Sequence, residues 1–427
     1  MGSYKTRQRL AGTQVVCLPV WLLLASVVFA EDNIEVATGF DASTYQSPID
    51  EVTTYLDAID HAEIANGAYS TDLADLYLGL GNSLQERREF DDAKEAYQQG
   101  LQVVRVNFGL NSPQQTNYLF AVADIESIQG NRKTADKVLE DVYRINSRNF
   151  GRKAPEMLPV LRQILGWYQK HRPSDSMGNK YADLERTGNI TNEMAEITEL
   201  DKGLGHPDTT AIYRKQGQIH WRTAKYVLGR GISVEPGVIM ATGKPSYSVN
   251  VKEVSIKKHF RDGREAFTKV AESVRLDENS TALEHAESIA QIGDWNLAFG
   301  KKQAAGAEYQ RAYRLLAERL KSEQVADEYF KDPIPVRFMN ADLKTIGSDG
   351  KNEAGVVLNV SMTVTAGGRA LNIEIIDPPE GIPREKIKMI GREVNSMHFR
   401  PRLISGVPEK SKGFIFHVPL PEATKES

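Results

Sequence analysis

The residue types that most often carry catalysis are present, but their spacing does not build a site. Eight histidines occur, yet none forms the His-Glu-x-x-His pattern that sets two imidazoles on one helix face to hold zinc. His61 and His285 stand beside acids in helical stretches, where a solvated or capping imidazole is the expected role. Gly237 to Lys244 approximates a phosphate loop, but the spacing is too long and Pro245 stands where a Mg²⁺-binding hydroxyl belongs. No Gly-x-Ser-x-Gly elbow occurs. The acid pairs Asp91-Asp92 and Glu140-Asp141 read as helix caps and wet faces rather than paired catalytic acids. Tyr55, Tyr77, Tyr97 and Tyr309 are the right type to line a ligand groove, yet they recur in step with a helical repeat and so read as core. The sequence therefore predicts no catalytic, cofactor-binding or metal-binding residue, and the expected chemistry is recognition without turnover.

Those tyrosines belong to a repeating pair of helices. From Asp75 to Val104 the pattern is a helix, a break at Arg87 to Glu89, and a second helix. Tyr77, Leu80, Gly81 and Leu84 mark the first helix, while Ala93, Tyr97, Gly100 and Leu101 fall three or four apart on the second. Shifted by 42 residues the pattern fits again, with Arg88 on Gly130, Ala93 on Ala135 and Phe108-Gly109 on Phe150-Gly151. It returns at Ile289, Ile292, Gly293, Gly300, Ala305, Tyr309 and Ala312. Small residues at a crossing let two helix backbones approach, and an aromatic ring fills the space beside them. Successive pairs must then stack, because each covers the apolar face of the next.

Around this repeat the chain divides by texture. Residues 31–46 have no clear period and read as a linker. Ser47-Pro48 opens a helix that runs to about Ala65, and helical repeats fill 47–171. Between 172 and 256 the register is irregular: Pro173, Gly178 and Gly188 interrupt it, and 233–256 is rich in β-branched residues, Gly and Pro, which predicts an extended insert. Helical pairs resume across 257–322. Residues 333–420 alternate instead, with Val356, Leu358, Val360, Met362 and Val364 on one face and Leu371, Ile373 and Ile375 on a hairpin partner. Pro383 opens a helix with the stripe Ile387, Ile390, Val394 and Met397, and two more extended pieces follow. The expected fold is mainly α: an α-solenoid followed by a small α+β domain of β-β-α-β order, with 421–427 as a tail.

Two resemblances can be named on these residues. Tyr77, Leu80, Gly81, Leu84, Ala93, Tyr97 and Gly100 have the spacing of the tetratricopeptide repeat. The turns Gly109-Leu110-Asn111-Ser112-Pro113 and Gly203-Leu204-Gly205-His206-Pro207 are similar to those of its longer, kinesin-light-chain-like form. That resemblance implies a solenoid that binds proteins. Residues 333–420, with the run Gly355 to Val364, the run Gly367 to Ile375 and Phe399-Arg400-Pro401, resemble the C-terminal domain of the TonB energy-transducer family. In Phe399-Arg400-Pro401-Arg402 the phenylalanine is expected in the core and both arginines in water.

Composition restricts the partners. The chain is 41% hydrophobic and 26% charged, which suits a folded core, and its net charge of −4 offers no basic field for nucleic acid. Lys5, Arg7 and Arg9, an apolar run from Val15 to Val28 and Val28-Phe29-Ala30 read as a signal peptide over residues 1–30. Cys17, the only cysteine, lies inside that run, so neither disulfides nor thiol chemistry is expected of the mature chain. A chain of this length secreted without disulfides suits the periplasm of a Gram-negative bacterium. The expected role is a non-catalytic scaffold for envelope proteins or peptides. The alternative is a TonB-like transducer whose uncleaved N-terminal segment is its one membrane contact.

Overall fold

Each crossing glycine carries an aromatic ring where a side chain would otherwise stand. A Cβ on Gly81 would lie inside 3.0 Å of the Tyr97 ring, one on Gly293 inside 3.0 Å of Tyr309, and one on Gly100 inside 3.0 Å of Tyr118. Gly217 with Phe267 and Gly263 with Trp295 repeat the arrangement. The computed structural model describes residues 51–171, 177–230, 251–336, 357–376, 378 and 383–419, and structural statements refer to these. The expected signal peptide, the 31–46 linker, the Ser47-Pro48 helix opening, Pro173, residues 231–250 of the insert and the tail lie outside them.

The helices follow as α1 (Glu51–Asn66), α2 (Asp72–Glu86), α3 (Phe90–Phe108), α4 (Thr116–Ile128), α5 (Arg132–Phe150), α6 (Met157–Lys170), α7 (Met177–Lys202), α8 (Pro207–Arg230), α9 (Val251–Leu276), α10 (Ala282–Ala298), α11 (Lys302–Leu320) and α12 (Glu323–Tyr329). They pack as successive antiparallel neighbours. One apolar cluster joins α1 to α6, a second α6 to α9, and a third α8 to α12. Leu80, Leu84, Ala93, Tyr97, Ala135, Ala305, Tyr309 and Ala312 are all buried in these clusters, and Tyr77 is half-buried at the edge of the first. Gly130 and Gly300 act differently. They are exposed, at φ +83 and +74, and turn the chain from one helix to the next, a job that Arg88 performs at φ +63 at the matching repeat position.

Two expectations for the irregular region fail. Gly178 and Gly188 do not interrupt α7, which runs unbroken from 177 to 202. Gly188 is buried, in van der Waals range of Ile219 on α8, so tertiary packing outweighs its low helix propensity. Likewise Val251 to Ile256 is helical rather than extended, because α9 begins at Val251. Its first turns are held to α7 and α8 by Ser255 and His259, both buried.

At the C-terminus, strands β1 (Ile334–Pro335), β2 (Val357–Val364), β3 (Ala370–Ile376), β4 (Phe399–Arg400), β5 (Arg402–Ile404), β6 (Val407–Glu409) and β7 (Ser411–Pro419) surround helix α13 (Arg384–Ser396). The main sheet is antiparallel in the order β3-β2-β7. Leu358, Val360, Met362 and Val364 of its central strand are buried together with Ile390 and Val394 of α13, Met397 and Phe399. Leu371 departs from its expected face. The register slips between Ser361 and Thr363, Asn372 adopts φ +51, and the resulting bulge turns Leu371 outward to 46% exposure. The pieces after α13 also divide: β4 pairs with β1, and β5 with β6, before β7 joins the sheet.

Candidate functional site

The clearest departure from the sequence reading is Arg400. It is 2% exposed, in place of the wet arginine expected beside Phe399. Its Nε and Nη2 donate to Asp294 Oδ1 and Oδ2 at 3.0 and 2.7 Å, and its Nη1 and Nη2 to Glu287 Oε2 and Oε1 at 2.7 and 3.0 Å. Both acids lie on α10, two turns apart, so one guanidinium fork is clamped from two sides. Tyr309 donates its hydroxyl to Asp294 Oδ1 at 2.9 Å, and Tyr329 donates to Glu287. Burial alone pushes Glu287 upward, but the charge and hydrogen bonds of Arg400 outweigh it and hold the carboxyl at about 2. Burial pushes Asp294 upward against the pull of the same guanidinium.

This cluster joins the small sheet domain to the last helix pair, and backbone bonds reinforce it. Leu403 N–H donates to Phe330 O at 2.9 Å, and Val336 N–H to His398 O at 3.0 Å. Leu403 and Val336 are buried in the same apolar cluster as α10 and α11. Phe399 completes the sheet domain's core as expected, and Pro401 is buried between the two arginines. Arg402 remains partly exposed and pairs with Glu409 at 3.5 Å. The missed signal was two acids seven apart on the stripe of α10 that also carries Ala286, Ile289, Ala290 and Gly293.

A second arrangement lies on the exposed faces of α6 and α8. Arg162, Gln163 and Gln169 of α6 and Arg214, Gln218 and Arg222 of α8 are exposed, with Lys215 half-buried among them. Burial lowers the Lys215 pKa, and the charges of Arg222 and Arg162 lower it further. Arg162, Lys215 and Arg222 have no carboxylate within 4.0 Å among the described residues.

Two other polar networks went unread in the sequence. His220 Nδ1 and His259 Nδ1 are 3.1 Å apart in the core, and His259 Nε2 lies 2.9 Å from Glu185 Oε1. Arg132 pairs with Asp183 at 2.8 Å, and Arg186 with Asp136 at 3.0 Å, tying α5 to α7. His61 is exposed as expected, whereas His285 is 8% exposed and feels Arg319, Arg275 and Arg311 rather than an acid. Asp91, Asp92, Glu140 and Asp141 are exposed. A depression of about 300 Å³ between α7, α8 and α9 is lined by polar groups that pair with one another, including Glu199 with Tyr213 and Lys269 and Asn192 with Gln216. Among the described residues no group of three or more His, Cys, Asp or Glu is placed to hold a metal, and no helix is long and apolar enough to cross a membrane.

With this geometry in hand, the matches to known proteins concern the helix pairs. Residues 72–148, from α2 through α5, match the tetratricopeptide repeat family. No curated protein matches the chain. Among solved structures it is similar to BtubC (BKLC) from P. vanneervenii, at 14% identity and a TM-score of 0.32, covering 63% of this chain and 90% of that one. It is also similar to a Podosopora anserina protein with nearly identical TPR-like repeats, at 12% identity and a TM-score of 0.33, covering 58% and 99% respectively.

Proposed function

We propose that the chain is a non-catalytic scaffold that binds envelope proteins or peptides in the periplasm of a Gram-negative bacterium. One observation carries the reading: tetratricopeptide repeats at 72–148 continue into helix pairs of the same packing as far as α11. Repeats of this family generally mediate protein–protein interaction, and stacked helices offer a long surface with little enclosed volume for catalysis. The periplasmic assignment rests on residues 1–30 of the sequence. The TonB-like assignment of the C-terminal domain rests on its strand pattern and on Phe399-Arg400-Pro401.

A photo-crosslinking residue placed in the full chain at exposed Gln218 on α8, and separately at exposed Glu95 on α3, tests the scaffold in cells. Crosslinking of a discrete partner at Gln218 and none at Glu95 is expected; no adduct at either position removes the reading. Mass spectrometry of the N-terminus separates the two versions. A mature chain that begins at Glu31 supports the scaffold, and retention of residues 1–30 favours the anchored transducer.

A further inference from the structure

We propose that the C-terminal sheet domain is a reversible cover on α10, latched by Arg400, and that it closes the end of a face which the array leaves open elsewhere. The inference rests on the scaffold reading and names a control on its surface. Gly81, Gly217 and Gly293 each meet an aromatic ring from the second helix of their pair, which aligns α2, α8 and α10 in the repeat. Asn82, Gln218 and Asp294 directly follow those glycines, and Asp75, Ala211 and Glu287 stand seven residues earlier on the same face. Asp75 and Asn82 are exposed, as are Ala211 and Gln218. On α4 the matching Asp124 is half-buried against Lys170 and His171 of the next helix. On α10 alone of these helices a different domain takes the place: Asp294 is 5% exposed, with Arg400 lying across it and Glu287.

The chemistry of the contact favours release. The sheet domain closes its own core without the array, from Leu358, Val360 and Met362 against Ile390 and Val394. Its anchor is ionic. Docking strips water from Arg400 and Asp294, and that cost offsets much of their attraction, so the latch fixes position more than it adds net affinity. Docking also strands polar atoms. Gln291 Oε1, on the residue whose amide nitrogen donates to Glu287 Oε1 at 3.4 Å, is buried with no hydrogen-bond partner among the described residues. So are His398 Nδ1 and Arg402 Nε, on the segment that carries Arg400. Water satisfies such atoms when the surfaces part.

The connection permits the movement. Between Phe330, in the apolar cluster of α10 and α11, and β1 the chain passes through Lys331 and Asp332, both exposed. Interfaces of this kind between parts of one chain allow relative motion unless they are large and apolar. Glu287 keeps its side chain 34% exposed, so water reaches the edge of the latch. A ligand lying along the face from α8 meets the cover at α10. Opening extends that face by two carboxylates that have lost their cation.

The test is the rate of thiol labelling in the chain from Glu31 onward, which contains no cysteine. Leu403→Cys puts a thiol on the docked surface, and Met362→Cys puts one in the sheet domain's own core; the native side chains are each 1% exposed. Opening of the cover exposes the first alone, whereas unfolding exposes both. Leu403→Cys is expected to react about tenfold faster than Met362→Cys, and Arg400→Gln to speed the first about tenfold more while leaving the second unchanged. Equal rates with Arg400 intact overturn the inference, by making the sheet domain a fixed part of the array. Arg400→Gln that speeds both thiols alike overturns it too.

The effect on the surface is read in cells by the photo-crosslinking residue at Gln218 of the full chain. Arg400→Gln should raise the adduct about threefold, and a disulfide staple made by Gly306→Cys with Pro408→Cys should lower it by a similar factor. A Cβ on Gly306 would lie 3.8 Å from Pro408 Cγ, so these positions can be joined with the cover closed. An adduct indifferent to both changes overturns the control. Absence of any adduct in every variant removes the scaffold reading instead, and the labelling rates then decide the cover by themselves.

Discussion

Arg400 and Asp294 are joined through two hydrogen bonds across 106 residues of chain, and the position of Asp294 explains why the bond exists. Tyr309 donates to Asp294 as Tyr97 donates to Asn82, fifteen residues back in each case, so the two acceptors occupy the same place in the repeat. Asn82 is exposed, and its amide oxygen accepts from the tyrosine hydroxyl. At Asp294 the amide is replaced by a carboxylate, which attracts a guanidinium from outside the repeat and attaches the C-terminal sheet to α10 and α11.

Breaking that attachment strands buried charge. Arg400→Met should destabilise the protein by about 3–5 kcal/mol, because Asp294 loses its cation while still buried and half-buried Glu287 loses its partner with it. Denaturant titration measures the loss, and limited proteolysis should show cleavage between residues 333 and 420 at concentrations that leave the native chain whole. A loss under about 1 kcal/mol would mean that the pair is solvated in solution.

Glycines inside helices should separate by what lies above them. Gly293→Ala forces a Cβ into the Tyr309 ring and is expected to cost about 1–3 kcal/mol. Gly166→Ala, with open space above the same kind of helix, should stabilise by about 0.5–1 kcal/mol through propensity alone. Thermal melts of the two variants should move in opposite directions. A shift of the same sign in both would contradict the close crossings.

Arg88 holds a left-handed conformation that its repeat counterparts Gly130 and Gly300 adopt without strain. Arg88→Gly should therefore raise stability by up to about 1 kcal/mol, the strain relieved less the extra unfolded-state entropy. The reverse change, Gly130→Ala, should lower it by about 1 kcal/mol, read from denaturation midpoints.

The buried histidine pair predicts acid sensitivity. Burial, with His259 next in strength, lowers His220 from 6.5 to about 4; Asp262 and Glu185 pull it up and Lys258 pushes it down. Because the folded pKa is the lower one, the unfolded state holds more protons between pH 6.5 and about 4, and stability falls as pH drops through that window. The full effect is about 3 kcal/mol, complete near pH 4. The separate contribution of Glu185, held at about 2 by its bond to His259 against burial, is lost only as pH falls below 4.5. His171, His285 and His398 are also lowered, by burial first, and act in the same direction as His220. Melting temperature measured from pH 7 to 4.5 should fall less steeply in His220→Gln than in the native chain. Equal slopes would show that His220 stays hydrated.

The sequence by itself determined the helix pairs, their small-residue crossings and the alternating strands, because each is written in spacings of two to four residues that local geometry imposes. It also placed the break at Arg87 to Glu89, while the turn role of Gly130 and Gly300, exposed at positive φ, came from the structure. Only the tertiary structure decided what depends on distant partners. Gly188 inside α7 and the helical start of α9 are stabilised by packing that no local propensity registers. Leu371 is turned outward by a bulge that two strands create together. Arg400 is buried because two acids on another helix surround it, and His220 meets His259 only once α8 lies against α9. A charge is stable in a core when its counter-charge is brought there, and the identity of that partner is a property of the fold rather than of either segment.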